Sequence, residues 1–106
     1  MSLRKKQSLF VKKLALLIEY AYDQGYELTL SRGYASPAAN AADGGHPNSL
    51  HTKRLAIDLN LFKDGEYLTR TEDHRPLGEF WESIGGTWGG RFNDGNHYSL
   101  EHQGMK

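Results

Sequence analysis

Four residues of this 106-residue chain have types and spacing that could act together in catalysis: His51, Asp58, Asp94 and His97. A zinc ion in a hydrolase is typically held by three protein ligands at about 2.0–2.2 Å, with a water in the fourth position. A carboxylate nearby can then take a proton from that water. The chain has no cysteine, so disulfides and thiolate ligation are excluded, and any metal must use imidazole and carboxylate. Asp58 is flanked by Ile57 and Leu59, where an unpaired carboxylate would be costly to bury. Two readings stand side by side. Either Asp58 faces water on a one-sided sheet, or it lies under cover and takes a divalent cation as counter-charge. Asp94-Gly95-Asn96-His97 can put one group on a metal and another beside its open position, yet Asn93-Asp94-Gly95-Asn96 is equally good turn chemistry. His46, His74 and His102 read as surface or hydrogen-bonding residues.

The elements that must position these groups can be read from periodicity. Phe10, Leu14, Leu17, Ile18 and Ala21 recur at helical spacing and predict an amphipathic helix over residues 8–24, with Gly25 as its C-terminal cap. Residues 26–30 alternate as a first strand. Pro37 can open a short helix over residues 38–42, within an otherwise irregular stretch from Ser31 to Ser49. Leu55, Ile57, Leu59 and Leu61 alternate with Arg54, Ala56, Asp58 and Asn60, the clearest strand in the chain. Lys63-Asp64-Gly65-Glu66 is a turn, with Tyr67-Leu68 opening the returning strand. Pro76, Leu77, Phe80, Trp81 and Ile84 predict a helix stopped by Gly85-Gly86. Residues 87–95 read as a glycine-rich loop, and 98–100 as a last short strand. The sum is an α+β single domain over residues 1–106, with helices packed on a small, mainly antiparallel sheet.

Composition narrows the function. Hydrophobic residues are 38% of the chain and glycine occurs 12 times; a core this small often recruits a metal for support. Lys plus Arg equal Asp plus Glu at 13 each, which argues against a nucleic-acid partner. Arg4, Lys5, Lys6, Lys12 and Lys13 read as a solvated helix face, or as loose attraction to an anionic membrane or wall polymer. No apolar run approaches the roughly 20 residues of a membrane span, and the basic start lacks the pattern of a signal peptide. The expectation is a monomer made in the cytoplasm, without stable membrane insertion, that reaches any external target only after release.

Ser49-Leu50-His51-Thr52-Lys53-Arg54-Leu55-Ala56-Ile57-Asp58 resembles the Ser-x-His-x-x-Gly-x-Ala-x-Asp motif of the D-alanyl-D-alanine carboxypeptidase family of zinc peptidases. Gly85-Gly86-Thr87-Trp88, followed by Asp94-Gly95-Asn96-His97, is similar to that family's second motif, in the right order. The family includes vancomycin-resistance dipeptidases and phage endolysins that cut between L-alanine and D-glutamate, and its fold is shared with the hedgehog signalling domain. The resemblance implies Zn²⁺ on His51, Asp58 and His97, with Asp94 as general base and Ser49 beside the metal, contacting substrate. It implies a peptidoglycan stem peptide as substrate, cut at a bond flanked by a D-amino acid, and a phage-type lysis enzyme without a wall-binding module.

Three positions depart from the family pattern. Arg54 stands where the family has glycine, and Ser99 where it often has Glu or Gln. The arginine that steadies the family's oxyanion is Ala35 here, in Tyr34-Ala35-Ser36-Pro37-Ala38-Ala39. Arg32 lies three residues earlier, about 10 Å away in an extended segment and on the opposite face, so it can serve only if the loop departs from a strand. The alternatives to a peptidase are a zinc-containing domain that binds wall peptides without cutting them, a metal-dependent nuclease, and a metal-free structural domain.

Overall fold

The hydroxyl of Ser2 accepts a hydrogen bond from the Lys5 N–H at 3.2 Å, and this cap starts the first helix, α1, at Leu3; it runs to Asp23. The helix begins before residue 8 because residues 4–7 lack apolar periodicity but are good helix formers once capped. Phe10, Leu17 and Ala21 are its buried stripe. Gly25, at φ +87°, lets the chain turn back.

The computed structural model describes residues 1–106. After α1 come β1 (Glu27–Leu30), α2 (Pro37–Ala42), β2 (Ala56–Lys63), β3 (Glu66–Leu68), α3 (Arg75–Ser83), β4 (Thr87–Trp88) and β5 (His97–Ser99). Three single 3-10 turns, Leu50–Lys53, Thr71–His74 and Gly89–Phe92, link them. β4 falls within the stretch expected to be loop, and β5 begins at the histidine itself. β4 is too short for alternation to reveal it and is defined by its pairing, whereas β5 is the expected last strand shifted by one residue.

β2 is the spine of the sheet, and every pairing is antiparallel. β1 runs along one edge of it, with Leu30 opposite Leu59. The other edge is shared: β3 pairs with residues 61–63 and β5 with residues 56–58. β4 then pairs outside β5. Ile57, Leu59 and Leu61 point to one face with Tyr98 and Trp88, and join Phe10, Leu17, Ala21, Leu77 and Trp81 of α1 and α3 in a single core. The fold is therefore α+β, two helices packed on one face of an antiparallel sheet.

The tryptophans tie α3 to the loops that follow it. Trp81 Nε1 donates to the Thr87 and Ser99 carbonyls at 3.1 and 2.9 Å, and Trp88 Nε1 donates to the Gly95 carbonyl at 2.8 Å. Trp88 lies so close to α3 that a Cβ on Gly78 would sit 2.1 Å from its ring. His74 is also core: it is 4% exposed, and its Nδ1 is 2.8 Å from the Tyr98 hydroxyl.

Burial holds the His74 imidazole down at about 4, against an ordinary 6.5, with Asp73 opposing only in part. As pH falls, the unfolded chain takes the proton first. The group's contribution is therefore intact above about pH 6.5 and is lost as pH drops towards 4, on the order of 3 kcal/mol. Urea unfolding over that range should show a shallower loss of stability in His74→Phe than in the parent; parallel curves would contradict this.

Candidate metal centre

Strand register brings the first two groups together. Asp58 of β2 and His97 of β5 are direct cross-strand partners, on the face opposite the core residues Ile57, Leu59 and Tyr98. Neighbouring side chains in such a pair are only about 4.5–5.5 Å apart at Cβ. The third group arrives from the 3-10 turn ahead of β2. Ser49 Oγ accepts from the His51 N–H at 3.3 Å, and the Thr52 hydroxyl donates to the Ser49 carbonyl at 2.6 Å. The turn closes at Arg54, whose backbone is left-handed at φ 56°, ψ 37°.

That conformation is what the family's glycine supplies at no cost. Arg54 adopts it with a side chain in place, and its guanidinium lies 3.9 Å over the Tyr34 ring.

His51 is then fixed from the other side. Its carbonyl accepts from the Ala35 N–H at 3.1 Å, and its Nδ1 is 2.8 Å from the Gly33 carbonyl. Donation from Nδ1–H leaves the Nε2 lone pair free, the arrangement found in metal-bound histidines. Nε2 of His51 and Nδ1 of His97 each lie 3.3 Å from Asp58 Oδ1, and the three ligand atoms are all within 4.8 Å of one another. His51 and His97 are buried, at 8% and 6% exposure.

The donor set fits a metal. Asp58 Oδ1 is sealed from solvent with no aligned hydrogen-bond partner, although two nitrogens stand close to it. Burial alone would raise the Asp58 pKa; the two imidazoles outweigh it and hold the carboxyl at about 2. Burial works against protonation of His51, but Asp58 and the Gly33 carbonyl raise its pKa nonetheless. A buried carboxylate flanked by two imidazole nitrogens is a site for a divalent cation, and two imidazoles with one carboxylate suit zinc.

Asp94 stands beside this group. Its carbonyl accepts from the His97 N–H at 3.1 Å, and its own N–H donates to the Gly89 carbonyl at 2.9 Å. The segment is thus both a turn and a scaffold for the site. A Cβ on Gly89 would lie 2.3 Å from the Asp94 carbonyl oxygen and 2.7 Å from His97 Cβ, so glycine there is a packing requirement. Partial desolvation raises the Asp94 pKa, helped by the Asp58 charge and opposed by His97 and His51.

Arg32 reaches the site's neighbourhood through a slip in the ladder. The Ser31 N–H donates to the Asp58 carbonyl, but the Asp58 N–H donates to the Arg32 carbonyl, at 2.9 and 2.8 Å. Asp58 thus faces two successive residues, the signature of a bulge, and the simple alternation that put Arg32 on the wrong face no longer applies. Its charge opposes protonation of His51, while its guanidinium is paired with Asp43, the C-terminal cap of α2. Ala35 is buried, which leaves no room for an arginine there without repacking.

Ser49 sits next to the centre as the cap on the His51 turn. His46 accepts from the Asn48 N–H, and His102 lies near Lys6; neither joins the cluster. Gly33, Gly89 and Asp43 support the site but carried no signal in the sequence. Only spatial neighbours reveal the first two, and Asp43 looked like any acidic residue beside a turn.

A family model described as D-alanyl-D-alanine carboxypeptidase matches residues 42–100, more than half of the chain. The chain belongs to this family. No curated protein matches it in sequence. Among solved structures, it is similar to the Serratia marcescens L-Ala D-Glu endopeptidase ChiX, at TM-score 0.69 and 19% identity over 87% of this chain and 77% of that one. It is also similar to a point mutant of the vancomycin-resistance D,D-pentapeptidase VanY from a VanB-type cassette, solved with Zn(II). That match has TM-score 0.62 and 20% identity, over 86% and 70% of the two chains. Both share the fold, and the match to the family model covers every residue of the cluster.

Two expectations follow. His51→Ala or Asp58→Asn should abolish stoichiometric zinc uptake in metal analysis after dialysis, and full uptake by both would rule out the assignment. Arg54→Gly should leave stability within about 1 kcal/mol, since relief of the left-handed backbone offsets the lost stacking on Tyr34. Arg54→Val should cost about 1–3 kcal/mol and weaken zinc binding, because a β-branched residue resists that conformation. Equal stability of the two variants in thermal unfolding would show that the backbone there is unstrained.

Proposed function

We propose that this chain is a zinc peptidase that hydrolyses a peptidoglycan stem-peptide bond flanked by a D-amino acid, of the L-Ala-D-Glu endopeptidase or D-Ala-D-Ala carboxypeptidase type. The observation that carries this reading is the convergence of His51, Asp58 and His97 with the Asp94 carboxylate alongside. Membership of the carboxypeptidase family, and the activities named for ChiX and VanY, support the substrate class. Action on the wall after release, as in phage lysis, is the setting this substrate suggests; no helix is long and apolar enough to cross a membrane.

His51 Nε2, Asp58 Oδ1 and His97 Nδ1 would hold the ion. Zinc, when bound, supplies a Lewis acid that polarises the scissile carbonyl and acidifies a water. Asp94, its pKa raised above the ordinary carboxylate value, takes the proton of the attacking water and delivers it to the leaving amine. The Arg32 guanidinium braces the oxyanion, a role worth about 2.7–4 kcal/mol for a single donor. To do so it must share or leave its pairing with Asp43.

That pairing favours one second reading, a zinc-containing domain that binds wall peptides without cutting them. Turnover of purified peptidoglycan by the zinc-loaded protein, against a chelated control, separates the two. Asp94→Ala should keep its zinc and lose hydrolysis by about 100-fold or more. Unchanged product release, followed by mass spectrometry, would remove Asp94 from the mechanism.

A further inference from the structure

A cleft of about 250 Å³ opens beside the metal centre, bordered by Leu59, Arg70, Thr71, His74, Asp94 and Asn96 among others. Asp94 belongs to both, so a peptide held at the centre has this cleft next to its reacting bond. His74 is the buried polar group in its wall, 4% exposed. Tyr98 is wholly buried, and the His74 Nδ1 is the partner of its hydroxyl, at 2.8 Å. Were the imidazole the donor, the phenolic proton would be stranded in the core. The arrangement that strands no proton has Tyr98 donating to Nδ1, which places the imidazole proton on Nε2.

Nε2 makes no hydrogen bond within the chain, yet it is not among the polar atoms sealed from solvent. Its remaining outlet is the cleft. Burial keeps the ring neutral, its pKa held near 4, so the Nε2–H is a single donor of fixed direction. Arg70 borders the same cleft. Its guanidinium is 81% exposed and anchored at 3.1 Å on Asp73, which leaves N–H groups free. The hydrolytic steps above use neither residue.

We propose that the cleft is a specificity subsite for a carboxylate-bearing residue of the substrate, with His74 Nε2–H and the Arg70 guanidinium as its donors. A carboxylate accepts from several donors at once, and a charged guanidinium strengthens the contact. A neutral carboxamide in its place would lose the charge and bring a misplaced N–H donor against Nε2–H. The inference rests on the peptidase reading for its substrate, but its test does not depend on turnover.

Binding of an L-alanyl-D-glutamate peptide with free carboxylates and a reduced, uncleavable Ala–Glu linkage, and of its fully amidated analogue with the same linkage, should be measured by calorimetry on the zinc-loaded protein. The acid should bind at least about tenfold more tightly. Zinc could itself attract a carboxylate, so the deciding result is the ratio in Arg70→Gln and His74→Phe. It should collapse towards unity in both while zinc content stays the same. Arg70 is exposed, so its variant tests the subsite even if His74→Phe folds poorly. In ¹⁵N-histidine spectra of the parent, the His74 Nε2 resonance should move with the acid peptide and not with the amide. An unchanged ratio in Arg70→Gln, or a silent His74 resonance, overturns the proposal. Wall digestion assayed in parallel keeps the two ideas apart. Digestion with an unchanged ratio sinks the subsite alone, and the expected ratio without digestion sinks the peptidase reading alone.

Discussion

The antiparallel register of β2 with β5 is the constraint on which the rest depends. It sets Asp58 opposite His97, on the face the core does not use. A slip by one residue would exchange Asp58 for Ile57 or Leu59 and bury a carboxylate among Leu17, Trp81 and Tyr98. The apolar residues of β2 therefore fix the position of the candidate metal ligands as a by-product of fixing the core. Both demands fall on the same strand, and alternation satisfies them together.

The surrounding elements complete what the register begins. α3 carries Trp81 and leaves Gly78 bare so that Trp88 can close over it, and the two indoles clamp the segment leading to His97 through the Thr87, Gly95 and Ser99 carbonyls. On the other side, the bulge at Ser31 and Arg32 swings the chain so that Gly33 and Ala35 hold the His51 ring and backbone. Each ligand is thus held by more than its own side-chain packing. Such supporting contacts are what keep a hydrolytic site in working geometry.

Much of this was legible in the residue order. The alternation from Leu55 to Leu61 marked β2, and the apolar stripe from Phe10 to Ala21 marked α1. His51, Asp58, Asp94 and His97 stood out because two motifs occur in the right sequence. What stayed hidden has physical causes. β4 is a strand because of what pairs with it, and two residues carry no period. The α1 start depends on a cap at Ser2 rather than on hydrophobicity. The bulge at Ser31 and Arg32 could not be told from the sequence, because Gly33 beside it reads equally well as the start of a loop, so Arg32 looked misplaced. His74 gave no sign that it was core, since a histidine followed by Arg75 and Pro76 reads as surface.

The substitutions that depart from the family pattern have unequal consequences. Arg54 takes a left-handed backbone that a glycine would adopt at no cost and stacks on Tyr34. Ser99 is buried with its hydroxyl unpartnered, and nothing in the structure explains it. Ala35 has the largest consequence, because it removes a guanidinium from that position and leaves Arg32, paired with Asp43, as the arginine whose charge is felt at His51.

The most direct test of the whole account is the zinc K-edge X-ray absorption spectrum of the metal-loaded protein. Two imidazole nitrogens, one carboxylate oxygen and one solvent oxygen at about 2.0–2.2 Å are expected. An oxygen-only shell, without the scattering pattern of imidazole rings, would contradict it.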